Sequence, residues 1–186
     1  KRAALSAFLP RVTAFLATGG GTREYLEHYG VSSNAIFISP YSVDVARFRN
    51  AVRDATPAQI DALRTRWRIP QGRRIVMFCG KLARWKRPLD VLTAVRHLNR
   101  PDTLAVFVGD GEQRAELERS AGEHAVVVGF VNQSEIPLAL SFADVLVLSS
   151  DYEPYGMVVA EAQTLGVPAV VSDACGCYGP ESVLLD

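Results

Sequence analysis

Two acidic residues that stand eight positions apart, Glu153 and Glu161, are the first candidates for chemistry. The segment that holds them, residues 149–168, reads SSDYEPYGMVVAEAQTLGVP. Glu161 falls among Val, Ala and Leu residues that predict a helix apolar nearly all round, where a glutamate needs a partner. The alternative, a partly exposed helix residue, fits such an apolar helix less well. Eight residues of pure helix would separate the two acids by about 12 Å, which is the scale of a nucleoside diphosphate sugar.

The turn before this helix is a candidate phosphate site. Pro154 and Gly156 mark the turn, so the helix is predicted to begin between Tyr155 and Met157, with Glu161 about one turn further on. A helix start offers unpaired backbone N–H groups and the positive end of the helix dipole, and both favour an anion.

Four cations lie close together in the segment GKLARWKRPLD, residues 80–90. Lys81, Arg84, Lys86 and Arg87 follow a predicted buried strand and precede a predicted helix. At the carboxyl end of a parallel strand, such a loop can hold a diphosphate. Taken alone, the segment fits a solvated basic loop equally well.

A glycine-containing turn in FVGDGEQRAELE matches a dinucleotide-binding fingerprint only in part. Gly109 and Gly111 stand between a strand and a helix, but Arg114 occupies the position of the third glycine. Asp110 and Glu112 would repel a pyrophosphate from that helix start. We therefore interpret this segment as a structural turn that borders a site.

The elements that must position these residues alternate as strand, turn and helix from residue 73 onward. Nearly continuous runs of Val, Leu, Ile and Phe predict parallel strands at 74–80, 103–109, 125–130, 144–150 and 168–172. Helices are predicted at 88–99, 112–120, 134–142 and 156–166. This alternation indicates an α/β fold, a Rossmann-like parallel sheet with helices on both faces and right-handed crossovers. Ligands of such folds bind beyond the carboxyl ends of the strands.

The beginning of the chain follows a different pattern. It predicts strands at 12–19 and 35–40, a short helix at 22–30, a polar stretch, and a helix from Pro57 to Arg68 that Thr56 would cap. We expect a domain boundary between about residues 40 and 72.

Composition and charge exclude several classes of protein. Of 186 residues, 48% are hydrophobic and 22% are charged, which is ordinary for a packed globular protein. The 20 basic and 20 acidic residues cancel, which argues against a generally basic surface for nucleic acid and leaves a local basic patch open. No run is apolar enough to span a bilayer, no signal peptide opens the chain, and three cysteines are too few for a disulfide framework. We therefore expect a reducing, cytoplasmic setting.

Histidines and cysteines form no metal pattern in the sequence. His28, His97 and His124 are scattered, and Cys175 and Cys177 have no second pair of ligands. We interpret the segment around these two cysteines as a flexible loop near a bound sugar.

Five motifs, taken in order, resemble the retaining glycosyltransferases of family 4, which have the GT-B fold. The segment SSDYEPYGMVVAEAQTLGVPAVVSDACG is similar to the donor-site signature of that family, in which two glutamates are separated by seven residues and followed by Gly-x-Pro and a pair of valines. FISPYSVDVARF resembles the interdomain link of the family. The other three motifs are FCGKLARWKRPLDVLTAV, VFVGDGEQRAELE and VVVGFVNQSEIPLALSFADVLVLSS. The resemblance covers essentially the whole chain.

The resemblance implies a role for each matched residue. Lys81, Lys86 and Glu153 would be the catalytic residues, with the two lysines on the donor diphosphate and Glu153 on the donor sugar. The family commonly has Arg at the first position, so Lys81 lacks the bidentate fork of a guanidinium. Glu161 would bind the ribose hydroxyls, and the Gly129–Val131 turn would lie against the base. Further donor contacts are implied for Gly80, Phe130, Tyr155, Gly156, Met157 and Val158, together with Gly129 and Val131.

The implied activity is transfer of a sugar from a nucleotide diphosphate donor to an acceptor hydroxyl with retention of anomeric configuration. Residues 1–40 would be the end of the N-terminal acceptor-side domain, 41–72 the interdomain link and helix, and 73–186 the donor-binding domain, truncated at its C-terminus. We expect a fragment, because the chain begins at Lys1 inside a predicted helix and ends soon after a strand.

The resemblance implies neither a cofactor nor a metal. The nucleotide sugar is a substrate, and the lysines and the helix N-terminus would stabilise the diphosphate in place of a divalent ion. The acceptor would be a carbohydrate, a lipid-linked molecule or a small molecule, and no nucleic acid is expected. Peripheral association of the full-length protein with the inner membrane face stays open. Two alternatives also stay open, a sugar-nucleotide epimerase of GT-B fold and a non-catalytic nucleotide-binding module.

Overall fold

The computed structural model of the protein describes residues 2–179, which form two compact units. The larger unit is Val43–Cys175, and the smaller comprises residues 2–42 with 176–179. The closing ESVLLD segment, on which the expectation of a truncated domain depends, lies outside the described residues.

The smaller unit is built around two short parallel strands. Its elements are α1 (Arg2–Phe8), β1 (Phe15–Ala17), α2 (Gly20–His28) and β2 (Ile36–Ile38), with Phe15 of β1 opposite Ile36 of β2. Both strands are shorter than predicted, and α2 begins two residues earlier. The core of the unit consists of the apolar residues Ala17, Leu26, Val31 and Ile36.

The stretch that the sequence analysis took as merely polar contains a helix. α3 spans Val45–Arg53, and the side chain of Asp44 caps it by accepting a hydrogen bond from the Arg47 N–H at 2.9 Å. Phe48 is its one buried residue, but Val45, Phe48 and Val52 recur at helical spacing directly after the Asp44 cap, so the sequence does carry a helix signal here. The prediction for this stretch was therefore wrong.

The next helix confirms the predicted cap. α4 spans Pro57–Arg66, and Thr56 and Gln59 form a capping box in which each side chain accepts from the other residue's backbone N–H. The helix ends at Arg66, two residues before the predicted end, and Arg68 adopts a left-handed φ of 55°.

The larger unit contains a five-stranded, wholly parallel sheet in the order β5-β4-β3-β6-β7. Its strands are β3 (Arg74–Cys79), β4 (Thr103–Val108), β5 (Ala125–Gly129), β6 (Val145–Leu148) and β7 (Ala169–Val171). Its crossover helices are α5 (Pro88–Leu98), α6 (Arg114–Ser120), α7 (Ile136–Leu140) and α8 (Met157–Thr164). Helices cover both faces of the sheet, which confirms the predicted Rossmann-like fold. Each element is slightly shorter than predicted.

Burial explains why these strands read as continuous apolar runs. Every residue of β4 is buried, and Phe107 of β4 packs against Phe78 of β3 with ring centroids 6.1 Å apart. Strands that are covered on both faces have no solvent side, so they show no alternation of polar and apolar residues.

The turns that follow β3 and β4 pack against each other too closely for side chains. A Cβ added at Gly109 would lie 1.9 Å from the Gly80 carbonyl oxygen, and one at Gly111 would lie 2.5 Å from the Leu82 carbonyl oxygen. The Asp110 carboxylate forms an ion pair with Arg114, the first residue of α6, at 2.8 Å. The structural interpretation of this glycine-containing turn is confirmed.

Candidate functional site

Two side chains from separate loops form an ion pair at the carboxyl ends of the central strands. Lys86, between β3 and α5, donates from Nζ to Oε2 of Glu153, between β6 and α8, at 2.6 Å. The two side chains are 21% and 11% exposed, so each charge is largely removed from water and is compensated by the other. The structure thus brings two of the three predicted catalytic residues into direct contact.

Hydrogen bonds involving the backbone join the same two loops. The Asp151 N–H donates to the Trp85 carbonyl at 2.7 Å, and Ser149 Oγ donates to the Arg87 carbonyl at 2.8 Å. Residues 84–86, which include Trp85 and Lys86, form a turn of 3₁₀ helix that ends at Arg87. The position of Lys86 therefore depends on the loop that carries Glu153.

Glu153 lies in extended chain rather than at the start of a helix. Its N–H donates to the Ala174 carbonyl at 3.2 Å, and it pairs in parallel with Cys175 as an isolated bridge. α8 begins only at Met157, the latest position predicted, so the spacing of eight residues is not a helical spacing. The estimated separation of 12 Å therefore rested on a wrong premise.

The start of α8 leaves backbone donors for a ligand. Gly156 is the N-cap and adopts a left-handed conformation with φ 87° and ψ 49°, and no side chain caps the helix. The N–H groups of Met157 and Val158 lie in the first turn, where a helix offers them no internal acceptor. Tyr155, just before the cap, is buried.

Glu161 lies in the middle of α8, half-buried, and no described residue donates a hydrogen bond to its carboxylate. Burial raises the pKa of this carboxyl group, and the positive charge of Arg47 on α3 opposes the shift. The negative charge of Glu161 also acts on Cys79, at the end of β3. Burial, and to a lesser extent this carboxylate, raise the pKa of the Cys79 thiol to about 12. A half-buried glutamate that is unfavourable to ionise agrees with the expectation that this residue needs a partner, which is not present among the described residues.

Lys81 stands on the solvent side of the same end of β3. Its side chain is exposed, and its ammonium lies 5.5 Å from the centre of the Trp85 ring. No described acid pairs with Lys81.

A cavity of about 430 Å³ opens at the carboxyl ends of β3 and β4. Its lining joins three predicted donor-binding residues, Gly80, Phe130 and Val131, with the predicted catalytic residue Lys81. The remaining lining residues are Cys79, Val108, Gly109, Asp110 and Ile136. Gly80 also adjoins the ion pair, because a Cβ added there would lie 3.7 Å from Lys86 Nζ. Gly129, by contrast, does not line this cavity, and the Arg114 guanidinium covers it on one side.

Among residues 2–179, no three His, Cys, Asp or Glu side chains are grouped so that they could hold a metal ion. Cys175 and Cys177 are both buried, which differs from the flexible loop we expected. Cys175 Sγ lies 3.6 Å from Ser172 Oγ. In the described part of the chain, no helix is both long enough and apolar enough to cross a membrane.

Comparison with known proteins gives consistent matches. The family model of glycosyl transferases group 1 matches residues 59–179. The chain is 31% identical to the 2-deoxystreptamine glucosyltransferase of Streptomyces kanamyceticus over 81% of this chain and 40% of that protein. It is 38% identical to the GDP-mannose-dependent alpha-mannosyltransferase of Mycobacterium tuberculosis over 72% of this chain and 32% of that protein.

A solved structure shares the fold. The crystal structure of Anabaena Alr3699/HepE in complex with UDP superposes with a TM-score of 0.76 at 20% identity, over 95% of this chain and 50% of that one. The chain thus spans half or less of the length of each of these three proteins. A family model that covers most of the chain, together with an agreeing fold, shows that this chain belongs to the glycosyl transferases of group 1.

Proposed function

We propose that the chain carries the donor-binding part of a retaining glycosyltransferase of family 4, which moves a sugar from a nucleotide diphosphate to an acceptor hydroxyl. The ion pair between Lys86 and Glu153 carries this proposal. It presents a cation and an acid side by side next to the N-terminus of α8, beyond the carboxyl ends of β3 and β6. A diphosphate needs the cation and the helix N-terminus, and the hydroxyls of a sugar need the acid.

Each part of a bound donor would contact the protein group that suits its chemistry. As the bond between the sugar and the diphosphate breaks, the departing diphosphate gains negative charge, which Lys81, Lys86 and the first N–H groups of α8 would stabilise. No divalent ion is required in this arrangement. Glu153 would exchange Lys86 for the sugar hydroxyls when the diphosphate takes the lysine. Glu161 would accept hydrogen bonds from the ribose hydroxyls.

The cavity beside the lysines would take the nucleobase. Its lining is largely apolar and includes Phe130 and Val131, from the turn after β5, together with Gly80 and Lys81, from the turn after β3. A flat aromatic base gains from burial against such a surface. The relatives named above act, by their names, with different sugars, so we leave the base and the sugar to experiment. The acceptor would be a carbohydrate, a lipid-linked molecule or a small molecule, and the proposed setting is the cytoplasm or the inner membrane face.

Neither alternative from the sequence analysis is favoured. The matched family is one of glycosyl transferases, whose reaction is transfer rather than epimerisation. An acid paired with a lysine at the donor position would also be superfluous in a module that only holds a nucleotide.

Titration of the protein with UDP, GDP and ADP, followed by calorimetry, tests donor binding. We expect saturable binding of at least one diphosphate, and a loss of roughly 10- to 100-fold in Lys86→Ala, because a hydrogen bond to a charged group is removed. Arg84→Ala is the matched control, since it removes a cation from the same loop, and its affinity should stay within about twofold. Absence of binding to all three diphosphates, or an equal loss in both variants, would contradict the proposed site.

Retention of the anomeric configuration is tested separately, by proton NMR of the slow hydrolysis of the donor. With UDP-glucose, GDP-mannose and ADP-glucose as probes, the first sugar released should keep the anomeric configuration that the donor had. Early release of the opposite anomer, before mutarotation, would show an inverting reaction.

A further inference from the structure

A second ion pair lies just outside the pair of Lys86 and Glu153, which we call the inner pair. Arg87 Nη1 lies 2.9 Å from Asp151 Oδ1, and these two residues form the outer pair. Each member of the outer pair is close in sequence to a member of the inner pair. The same guanidinium also reaches Asp90, in the first turn of α5, at 2.6 Å.

The backbone of Arg87 is held in an unusual conformation. Its φ of 50° and ψ of 45° place it in the left-handed region, which residues other than glycine rarely adopt. Such a conformation persists only where the surroundings hold it. Here the surroundings include Ser149, whose hydroxyl donates to the Arg87 carbonyl at 2.8 Å and lies 3.3 Å from the Lys86 carbonyl.

Folding stability alone does not account for the outer pair. Arg87 and Asp151 are 48% and 60% exposed, and exposed ion pairs contribute little to the stability of a fold. The pair does join two loops that are otherwise connected by the inner pair and by hydrogen bonds such as the one from the Asp151 N–H to the Trp85 carbonyl. The inner pair depends on the separation of these loops, because its 2.6 Å contact joins side chains from both of them.

We infer that the outer pair of Arg87 and Asp151 positions Lys86 and Glu153, and thereby sets the geometry in which a nucleotide sugar is held. Arg87 and Asp151 are positioning residues in this scheme, and they do not contact the donor. The part that concerns the donor rests on the proposed function, whereas the part that concerns the inner pair does not.

The reactivity of Lys86 tests the inference without any nucleotide. Reductive methylation under limiting reagent, read residue by residue by mass spectrometry, measures how available each lysine amine is. In Asp151→Asn the labelling rate of Lys86 should rise about two- to fivefold, the range expected when an exposed ion pair is lost. The exposed Lys81 serves as internal reference and should not change. Glu153→Gln, which breaks the inner pair itself, gives the largest rise that can be expected.

Asp90→Asn is the matched control. It also removes one carboxylate from Arg87, with similar exposure, but the lost contact is between Arg87 and the helix that directly follows it, and it does not join the two loops. We expect Lys86 to be labelled at the wild-type rate in this variant. Wild-type rates in both variants would overturn the inference, and so would equal rises in both, because the effect would then be one of charge and not of loop spacing.

Titration with the tightest-binding nucleotide sugar among UDP-glucose, GDP-mannose and ADP-glucose tests the consequence for the donor. Asp151→Asn should lose about two- to fivefold in affinity and Asp90→Asn should not. If the wild type binds no nucleotide sugar, the proposed function fails while the labelling result still decides the inference. If it binds and the variants bind equally well, the inference fails and the proposed function stands.

Discussion

Glu153 and Glu161 are both carboxylates near the proposed diphosphate position, yet their surroundings differ. Glu153 already holds a cation, because Lys86 donates to it at 2.6 Å. Glu161 receives no hydrogen bond from the described residues, and burial raises the pKa of its carboxyl group. In the proposed function, Glu153 gives up a partner when the donor binds, whereas Glu161 gains one. Substitutions at the two positions should therefore have different effects.

Removing each acid should affect different parts of the donor. Glu161→Ala should weaken a free nucleoside diphosphate and its nucleotide sugar alike, by roughly 10- to 100-fold, because ribose occurs in both. Glu153→Ala should weaken only the nucleotide sugar, and the free diphosphate should bind at least as well as to the wild type, because Lys86 is released. Calorimetric titration with the matched ligands UDP and UDP-glucose, alongside melting curves, measures both effects. Equal losses for both ligands in two folded variants would refute this division.

The raised pKa of Glu161 predicts how stability depends on pH. The folded protein binds this proton more tightly than the unfolded chain, so the free energy of unfolding falls as pH rises from the ordinary value, about 4.3, through the raised pKa. Above that window, the ionised carboxylate destabilises the ligand-free protein in full. Glu161→Gln should therefore melt at a higher temperature than the wild type at pH 7, and the difference should vanish below about pH 4.

The exposed Glu116, on α6, supplies the control for this measurement. Glu116→Gln should shift the melting temperature little at either pH, because its carboxylate has no burial to overcome. A lower melting temperature for Glu161→Gln at pH 7 would mean that the wild-type carboxylate has a stabilising partner.

At the scale of elements, close approach of turns decides the shape of the site. The turn after β4 rests directly on the turn after β3, with glycines at the points of contact. This contact holds the first residues of the basic loop, Gly80 and Lys81, at the rim of the cavity. Elements that carry no reactive group therefore set where the reactive groups stand.

Gly109→Ala tests this contact. The new methyl group would meet the Gly80 carbonyl oxygen at 1.9 Å, so the two turns must move apart, and we expect a loss of about 3 kcal/mol or more in the free energy of unfolding. Gly122→Ala is the control, because Gly122 also has a positive φ, 53°, but nothing lies within 4 Å of an added Cβ. Gly122→Ala should lower the free energy of unfolding by only about 1–2 kcal/mol, because an alanine is strained in a left-handed backbone conformation. Urea unfolding measures both, and similar losses would show that the contact between turns contributes little.

At the scale of the whole molecule, the proposed donor-binding side chains all belong to the larger unit, Val43–Cys175. The chain carries 20 basic and 20 acidic residues, so no general positive field attracts a nucleotide. Attraction must come from the local cations at the carboxyl ends of the strands. A protein with such a charge distribution should bind anions through a few short contacts.

Binding of a diphosphate should therefore persist without metal and weaken with salt. We expect calorimetric affinity for the best of UDP, GDP and ADP to be the same within about twofold in EDTA and in excess Mg²⁺. Raising the salt concentration from about 0.05 to 0.5 M should lower the affinity, because Lys81 is exposed to screening. Loss of binding in EDTA would show that a divalent ion carries the diphosphate, and it would refute the metal-independent scheme.

The sequence by itself determined the sheet and the family. Strands such as Thr103–Val108 are recognisable because complete burial demands an unbroken apolar run, and the cap at Thr56 is recognisable because its partners are local. The spacing of the motifs indicated the glycosyltransferase, and the family model agrees over residues 59–179. These features depend on neighbours in sequence, or on burial that composition records. α3 was missed although its signal is local as well: Val45, Phe48 and Val52 recur at helical spacing after the cap at Asp44, but the polar residues between them make the stretch resemble a loop by composition.

Only the tertiary structure decided which charges meet. β3 lies between β4 and β6, so the loops after β3 and β6 adjoin although they stand more than sixty residues apart. That adjacency pairs Lys86 with Glu153 and Arg87 with Asp151. From the sequence, Lys86 and Arg87 were both candidates for holding a diphosphate and neither pairing with an acid was predicted, because strand order is a property of the packed sheet. A pairing across a sheet has no periodicity along the chain, so it becomes visible only when the strands are in place.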